Sequence, residues 1–189
     1  VSVQTKAPSS NAVEQSYPQF TNPGNAYASD SSGATAAISA PSNQDFANRY
    51  GGFGFSIPSG ATITNVTVNV RYKYSAGTTG SSGMQWFGFL YRTGSTTLVN
   101  NGLGYSFASP TPRGAAGSPA YATYQTESFD VTSLRTWVDT DFDANFKLGL
   151  DARFAGAAGT VDLDYAEVVV TYTGGSSGGG RTGFFLGAR

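Results

Sequence analysis

Val66, Val68, Val70, Tyr72 and Tyr74 occupy every second position of one stretch, with Thr67, Asn69, Arg71 and Lys73 between them. Only a strand turns alternate side chains to opposite faces, so this stretch has one face in a core and the other in water. Ile63 stands one position out of phase with Val66, which predicts a bulge or bend near Thr64 and Asn65. A strand with one buried face needs partner strands and a second layer, and the rest of the chain must supply them.

Further strand patterns do so. The pattern changes from Phe46, and residues 50–57 alternate large apolar with small side chains, a strand, until the turn at Pro58, Ser59 and Gly60 breaks the run. An aromatic stretch over 84–91 reads as a strand after the flexible connection 76–83, and Thr96 to Val99 is a further candidate. Residues 104–119, with Pro110, Pro112 and Pro119, read as a long irregular loop, and 121–129 as a strand again. Leu134, Trp137 and Val138 give one apolar face, a single helical turn over 132–138. Phe146 to Phe154 and Val161 to Thr173 read as the last two strands, joined by a small-residue hairpin loop over 155–159. The fold class expected is all-β: an antiparallel, jelly-roll-like β-sandwich over 44–173.

Both ends differ from this pattern. Residues 1–43 are rich in Ser, Ala, Asn and Pro, with isolated aromatics at Tyr17, Phe20 and Tyr27 and no sustained period. Such a segment cannot offset its ordering entropy alone. It reads either as an extended arm that docks those aromatics on a partner, or as a strand and loops of the same domain. Residues 174–180 form a Gly/Ser linker, and 181–189 carry Phe184, Phe185 and Leu186 on that tether. An apolar triplet on a flexible tether is expected to be a docking peptide.

Composition removes several kinds of chemistry. The 189 residues include no Cys and no His, so zinc-finger, haem and iron–sulfur ligation and His-dependent nucleophilic relays are excluded. Lys+Arg 11 against Asp+Glu 12 gives a formal net charge of −1 with no basic block, which is no footprint for nucleic acid. No window approaches the roughly 20 apolar residues of a membrane helix, so no membrane partner is expected. No cofactor is expected either.

The remaining candidates are few. Asp139, Asp141 and Asp143 begin a calcium-loop spacing, but Ala144 stands where that loop needs Gly and Leu150 where it needs Glu, so a polar connection with local side-chain turns is the preferred reading. Asp162 and Asp164 share a strand face, as a glycosidase pair could, yet read as a solvated face. Trp86, Tyr91, Tyr105, Tyr121 and Tyr124 form a pool from which a sugar platform could be drawn, Tyr105 and Tyr121 foremost, whereas Trp86 and Trp137 are expected in the core.

Residues 53–68, 145–150 and 161–172 together resemble a β-sandwich module of tailed-bacteriophage virion proteins and some bacterial surface proteins. In that module a strand ending F-x-I-P-x-G-A-x-I leads into an alternating strand, and a V-D-x-type strand ending in Tyr closes the sheet. The resemblance spans about 46–173 and carries no catalytic residues. It implies a non-enzymatic structural protein of a phage particle, located in the virion. Capsid decoration through arm and tail is the first expectation, with other virion proteins or copies of the chain as partners. The alternative is a tail or fibre component that binds a receptor or host-surface glycan.

Overall fold

The computed structural model describes residues 1–13, 17–76, 83–92, 105–108 and 121–176. Eight strands carry the fold: β1 (Ser2–Lys6), β2 (Ser10–Val13), β3 (Ala34–Gly51), β4 (Ser59–Ala76), β5 (Met84–Arg92), β6 (Tyr105–Ala108), β7 (Gln125–Asp130) and β8 (Phe146–Ser176). Among the described residues the only helical pieces are short 3-10 turns at Pro23–Ala26, Thr132–Leu134 and Asp139–Phe142. The helical turn expected over 132–138 is thus a 3-10 turn confined to its first residues.

Among the described residues all pairings are antiparallel, and β8 is the axis of the fold. On one side of β8 lie β3 and then β1; on the other lie β5 and then β4. Outside these, β2 pairs with β3, β6 with β5, and β7 with β4. The ring of Tyr72 meets that of Trp86 edge-on with centroids 5.3 Å apart. Their partners on β8, Leu163 and Ala152, are eleven residues apart. A straight strand would separate those partners by about 36 Å at ~3.3 Å per residue. The long strands therefore fold over, and β4 faces β5 across the core as two layers of an antiparallel β-sandwich. Tyr74 against Phe154, with centroids 6.1 Å apart, repeats the crossing.

The bend falls where the sequence is richest in Gly and Ala. Residues 155–159, expected as a hairpin loop, do not reverse the chain; the strand continues through them, and its ladder with β3 is irregular between Ile38 and Gln44. Small residues leave the backbone free to bend there. The bulge expected near Thr64 is present, since Ile63 pairs with Tyr172 and Asn65 with Thr171. A second bulge, between Arg71 and Tyr72, leaves Asp164 as the extra residue of β8. It switches which parity of β8 faces inward: Val161 and Leu163 are buried before it, and Ala166, Val168 and Val170 after it.

Val66, Val68, Val70, Tyr72 and Tyr74 are all buried, as their alternation requires, with Trp86, Leu148, Leu150 and Phe154 opposite. Each large side chain fully removed from water contributes about 1.5–3 kcal/mol. Residues 104–119 are not wholly loop, because Tyr105–Ala108 forms β6 against Phe87–Leu90. The candidate strand over 96–99 and the tail 181–189 lie outside the described residues.

Candidate functional site

The residues read as an arm are woven into the sandwich. β1 pairs with Val168–Tyr172 of β8, and β3 begins at Ala34, pairing from there with Leu163. Phe20 is 2% exposed, stacks on Trp86 with centroids 6.1 Å apart, and donates its backbone N–H to Asn48 Oδ1 at 2.8 Å. A docking role for Phe20 is corrected by that burial. Tyr27 meets Tyr50 edge-on and its backbone bridges Tyr165, while half-buried Tyr17 packs over Ala47 beside Phe89. These three aromatics fasten 17–27 to their own chain. Phe184, Phe185 and Leu186 lie outside the described residues.

What the first thirteen residues leave open is a flank. β1 is an edge of one layer and β2 an edge of the other, because among the described residues each pairs with a single strand. The two edges are joined by Ala7, Pro8 and Ser9 and so lie on the same side of the sandwich. Val1 is 95%, Val3 58% and Val13 48% exposed, three of the four exposed large apolar side chains among the described residues. An edge strand presents unpaired N–H and C=O groups, and apolar side chains beside them make it a template for another strand.

The polar candidates resolve differently. Asp139 Oδ2 accepts from the Gly60 N–H at 2.9 Å, buried Asp141 accepts from the Val138 N–H at 2.9 Å and pairs with Arg135 at 3.0 Å, and Asp143 accepts from the Asn145 N–H at 2.8 Å. Each carboxylate holds local structure, and among the described residues no group of three His, Cys, Asp or Glu side chains could hold a metal ion. These bonds make 139–145 a polar connection with local side-chain turns.

Asp162 and Asp164 are not a solvated face. Asp164 is fully buried at the bulge and paired with Arg71, and Asp162 pairs with Lys73 at 3.0 Å. The guanidinium of Arg71 and the ammonium of Lys73 lie over the Tyr124 ring, 4.8 and 4.5 Å from its centroid. Its bonds to Asp162 and Tyr124 raise the Lys73 pKa further, so the side chain stays cationic. Both carboxylates are thus engaged by cations of the neighbouring strand β4.

Beside this cluster lies a cleft of about 220 Å³, lined by Lys73, Ser75, Tyr121, Ala122, Thr160 and Asp162. Its floor follows from the register: Lys73 stands opposite Asp162 and Ser75 opposite Thr160. Its wall follows from one bond, the Tyr74 N–H donating to the Tyr121 carbonyl at 2.9 Å, with the Tyr121 ring tilted on Tyr72 at 5.5 Å. Tyr121, read as a candidate sugar contact, is therefore placed in a cleft. Tyr105 is on β6 across Leu90. Trp86 and Trp137 are buried, as expected of core residues.

No protein-family model matches the chain, and no curated protein does. Among solved structures, the carbohydrate-binding module TmCBM61 in complex with β-1,4-galactotriose is similar at a TM-score of 0.38 and 7% identity, over 88% of this chain and 86% of that one. Dimeric latent PorU from Porphyromonas gingivalis is similar at 0.31 and 14%, over 90% of this chain and 12% of that one. The infectious bursal disease virus Gx strain structure is similar at 0.31 and 10%, over 75% and 34%. At TM-scores of this size none of these likenesses bears on what the chain binds. The fold rests on its own ladders and core.

Proposed function

We propose that the chain is a non-enzymatic structural subunit of a bacteriophage particle, joined to its neighbours through the β1–β2 flank and through the peptide carrying Phe184, Phe185 and Leu186. Capsid decoration is the first assignment and a tail or fibre component the second. In either, the chain resides in the virion, and its partners are other virion proteins and copies of itself. The observation that carries the reading is the flank, where among the described residues each layer ends in a strand paired on one side only, beside Val1, Val3 and Val13. A neighbour's strand added there gains a ladder of backbone hydrogen bonds together with apolar burial. The phage assignment itself is supported by the motifs at 53–68, 145–150 and 161–172.

Sedimentation velocity of the full chain, a 1–176 truncation and Val3→Lys, over a range of concentrations, tests it. The full chain is expected to associate with rising concentration, and both variants to shift toward monomer, because a lysine on an edge strand opposes pairing without touching the core. A full chain that stays monomeric throughout removes assembly between copies. A Val3→Lys variant that associates like the parent removes the flank.

A further inference from the structure

We infer that the cleft between β4, β8 and Tyr121 is a recognition site for one ring of a neutral saccharide. Its floor is two adjacent cross-strand pairs, Lys73 with Asp162 and Ser75 with Thr160, so four polar side chains are held side by side by the sheet ladder. The Lys73 ammonium and an Asp162 carboxylate oxygen are 3.0 Å apart, the spacing of the two oxygens of a vicinal diol. An ammonium only donates and a carboxylate only accepts, so together they bind a pair of neighbouring hydroxyls, one as acceptor and the next as donor. The Ser75 and Thr160 hydroxyls form no hydrogen bond among the described residues and are free to take a third and a fourth contact.

The wall complements the floor. Tyr121 is braced by Tyr72 and by the backbone bond from Tyr74, so its ring packs partly against the core, and together with Ala122 it gives the cleft an apolar side for the C–H face of a pyranose. Charge decides which saccharide. Arg71 is answered by Asp164 and Lys73 by Asp162, so the cluster is neutral and offers no surplus cation to a uronate, sialate or phosphate. Size decides how much of it, since about 220 Å³ is below the roughly 300–1,000 Å³ of sites for drug-sized ligands, and a single ring fits. The site lies on strands other than β1 and β2 and does not depend on how the chain assembles.

The test is an amide-detected NMR titration of the full chain with methyl β-D-galactopyranoside, methyl β-D-glucopyranoside and methyl α-D-mannopyranoside, which differ in vicinal-diol geometry. At least one is expected to give saturable shifts at residues 73–75, 121–122 and 160–162, with a Kd in the millimolar range. Asp162→Asn is expected to weaken that binding about tenfold or more by removing a charged acceptor. Tyr121→Leu is expected to weaken it similarly, and Tyr121→Phe to leave it within about twofold because the ring remains. Thr160→Val, at an exposed position, removes one hydroxyl without disturbing the core, and urea unfolding of every variant separates lost binding from lost folding. Absence of saturable shifts in the cleft with all three glycosides overturns the inference. So does unchanged affinity in a folded Asp162→Asn variant.

Discussion

Arg71 donates from Nη1 to the carboxylate of Asp164, a side chain with no exposure at all, at the point where β8 carries one residue more than β4. The Ser29 hydroxyl is also within reach of both, at 3.1 Å from Arg71 and 3.5 Å from Asp164. A buried carboxylate is tolerated because this cation reaches it. Arg71→Met should destabilise the chain by about 3–5 kcal/mol, since it leaves a buried charge uncompensated. Adding Asp164→Asn to that variant should recover much of the loss, and urea denaturation of the two single variants and the double variant reads the coupling.

Phe20 distinguishes a docking arm from a core residue. Stacked on Trp86 and nearly unexposed, it should cost about 3–5 kcal/mol when truncated to alanine. A loss below about 0.5 kcal/mol, the size of ordinary surface substitutions, would return 1–43 to the arm reading. Equilibrium unfolding of Phe20→Ala against the parent supplies the number.

Asp151 makes stability depend on pH. Burial, with the Asp45 carboxylate adding to it, pushes its pKa up to about 7, against the opposing pull of Arg153. In the unfolded chain the group titrates near pH ~4. Between those values the folded state holds a proton that the unfolded chain has released. Its contribution is therefore full below about pH 4 and is lost as pH rises through about 7, on the order of 2–4 kcal/mol in all. Asp151→Asn should flatten this fall and stabilise the chain at pH 8, which unfolding midpoints at pH 4, 6 and 8 would show.

Gly33 packs directly over the Asp162 carboxylate, and a Cβ built there would sit 1.2 Å from Oδ1. The Gly33→Ala variant must displace Asp162 or the loop, so it should loosen the Asp162–Lys73 pair. The expected readout is a changed Lys73 Nζ environment by NMR, with the Val66–Tyr74 core amides unshifted. An unperturbed Lys73 would mean that the loop moves instead.

β4 with its Thr64 bulge, and β5, were readable directly from their large alternating side chains, whereas Phe53, Phe55 and Ile57 alternate in a segment that is no strand: β3 ends at Gly51, β4 begins at Ser59, and Gly52 and Gly54 between them take positive φ. The early part of β3 was not readable: Ala34 and Ala36 are buried, but alanine carries too little hydrophobic signal to mark a strand, and their partners lie more than a hundred residues away. The continuous run of β8 was hidden by the same Gly and Ala residues that let it bend. For the cleft, a signal was present. Arg71 and Lys73 on one strand and Asp162 and Asp164 on another carry opposite charges at the same i, i+2 spacing, which is what paired strands require. Each read alone is an ordinary solvated face, and only the pairing between β4 and β8 turns them into one cluster. The burial of Asp164 depends on a bulge that alternation alone does not locate.

The proposed contact between copies of the chain along β1 and β2 is read by amide hydrogen exchange. Exchange would be followed on the full chain at a dilution where it is monomeric and at a concentration where it associates. Added protection on association is expected on residues 1–13 and on the tail beyond 176, with the β4 and β7 amides unchanged. Protection gained at β6 or β7 with none at residues 1–13 would place the contact on the opposite flank and contradict it.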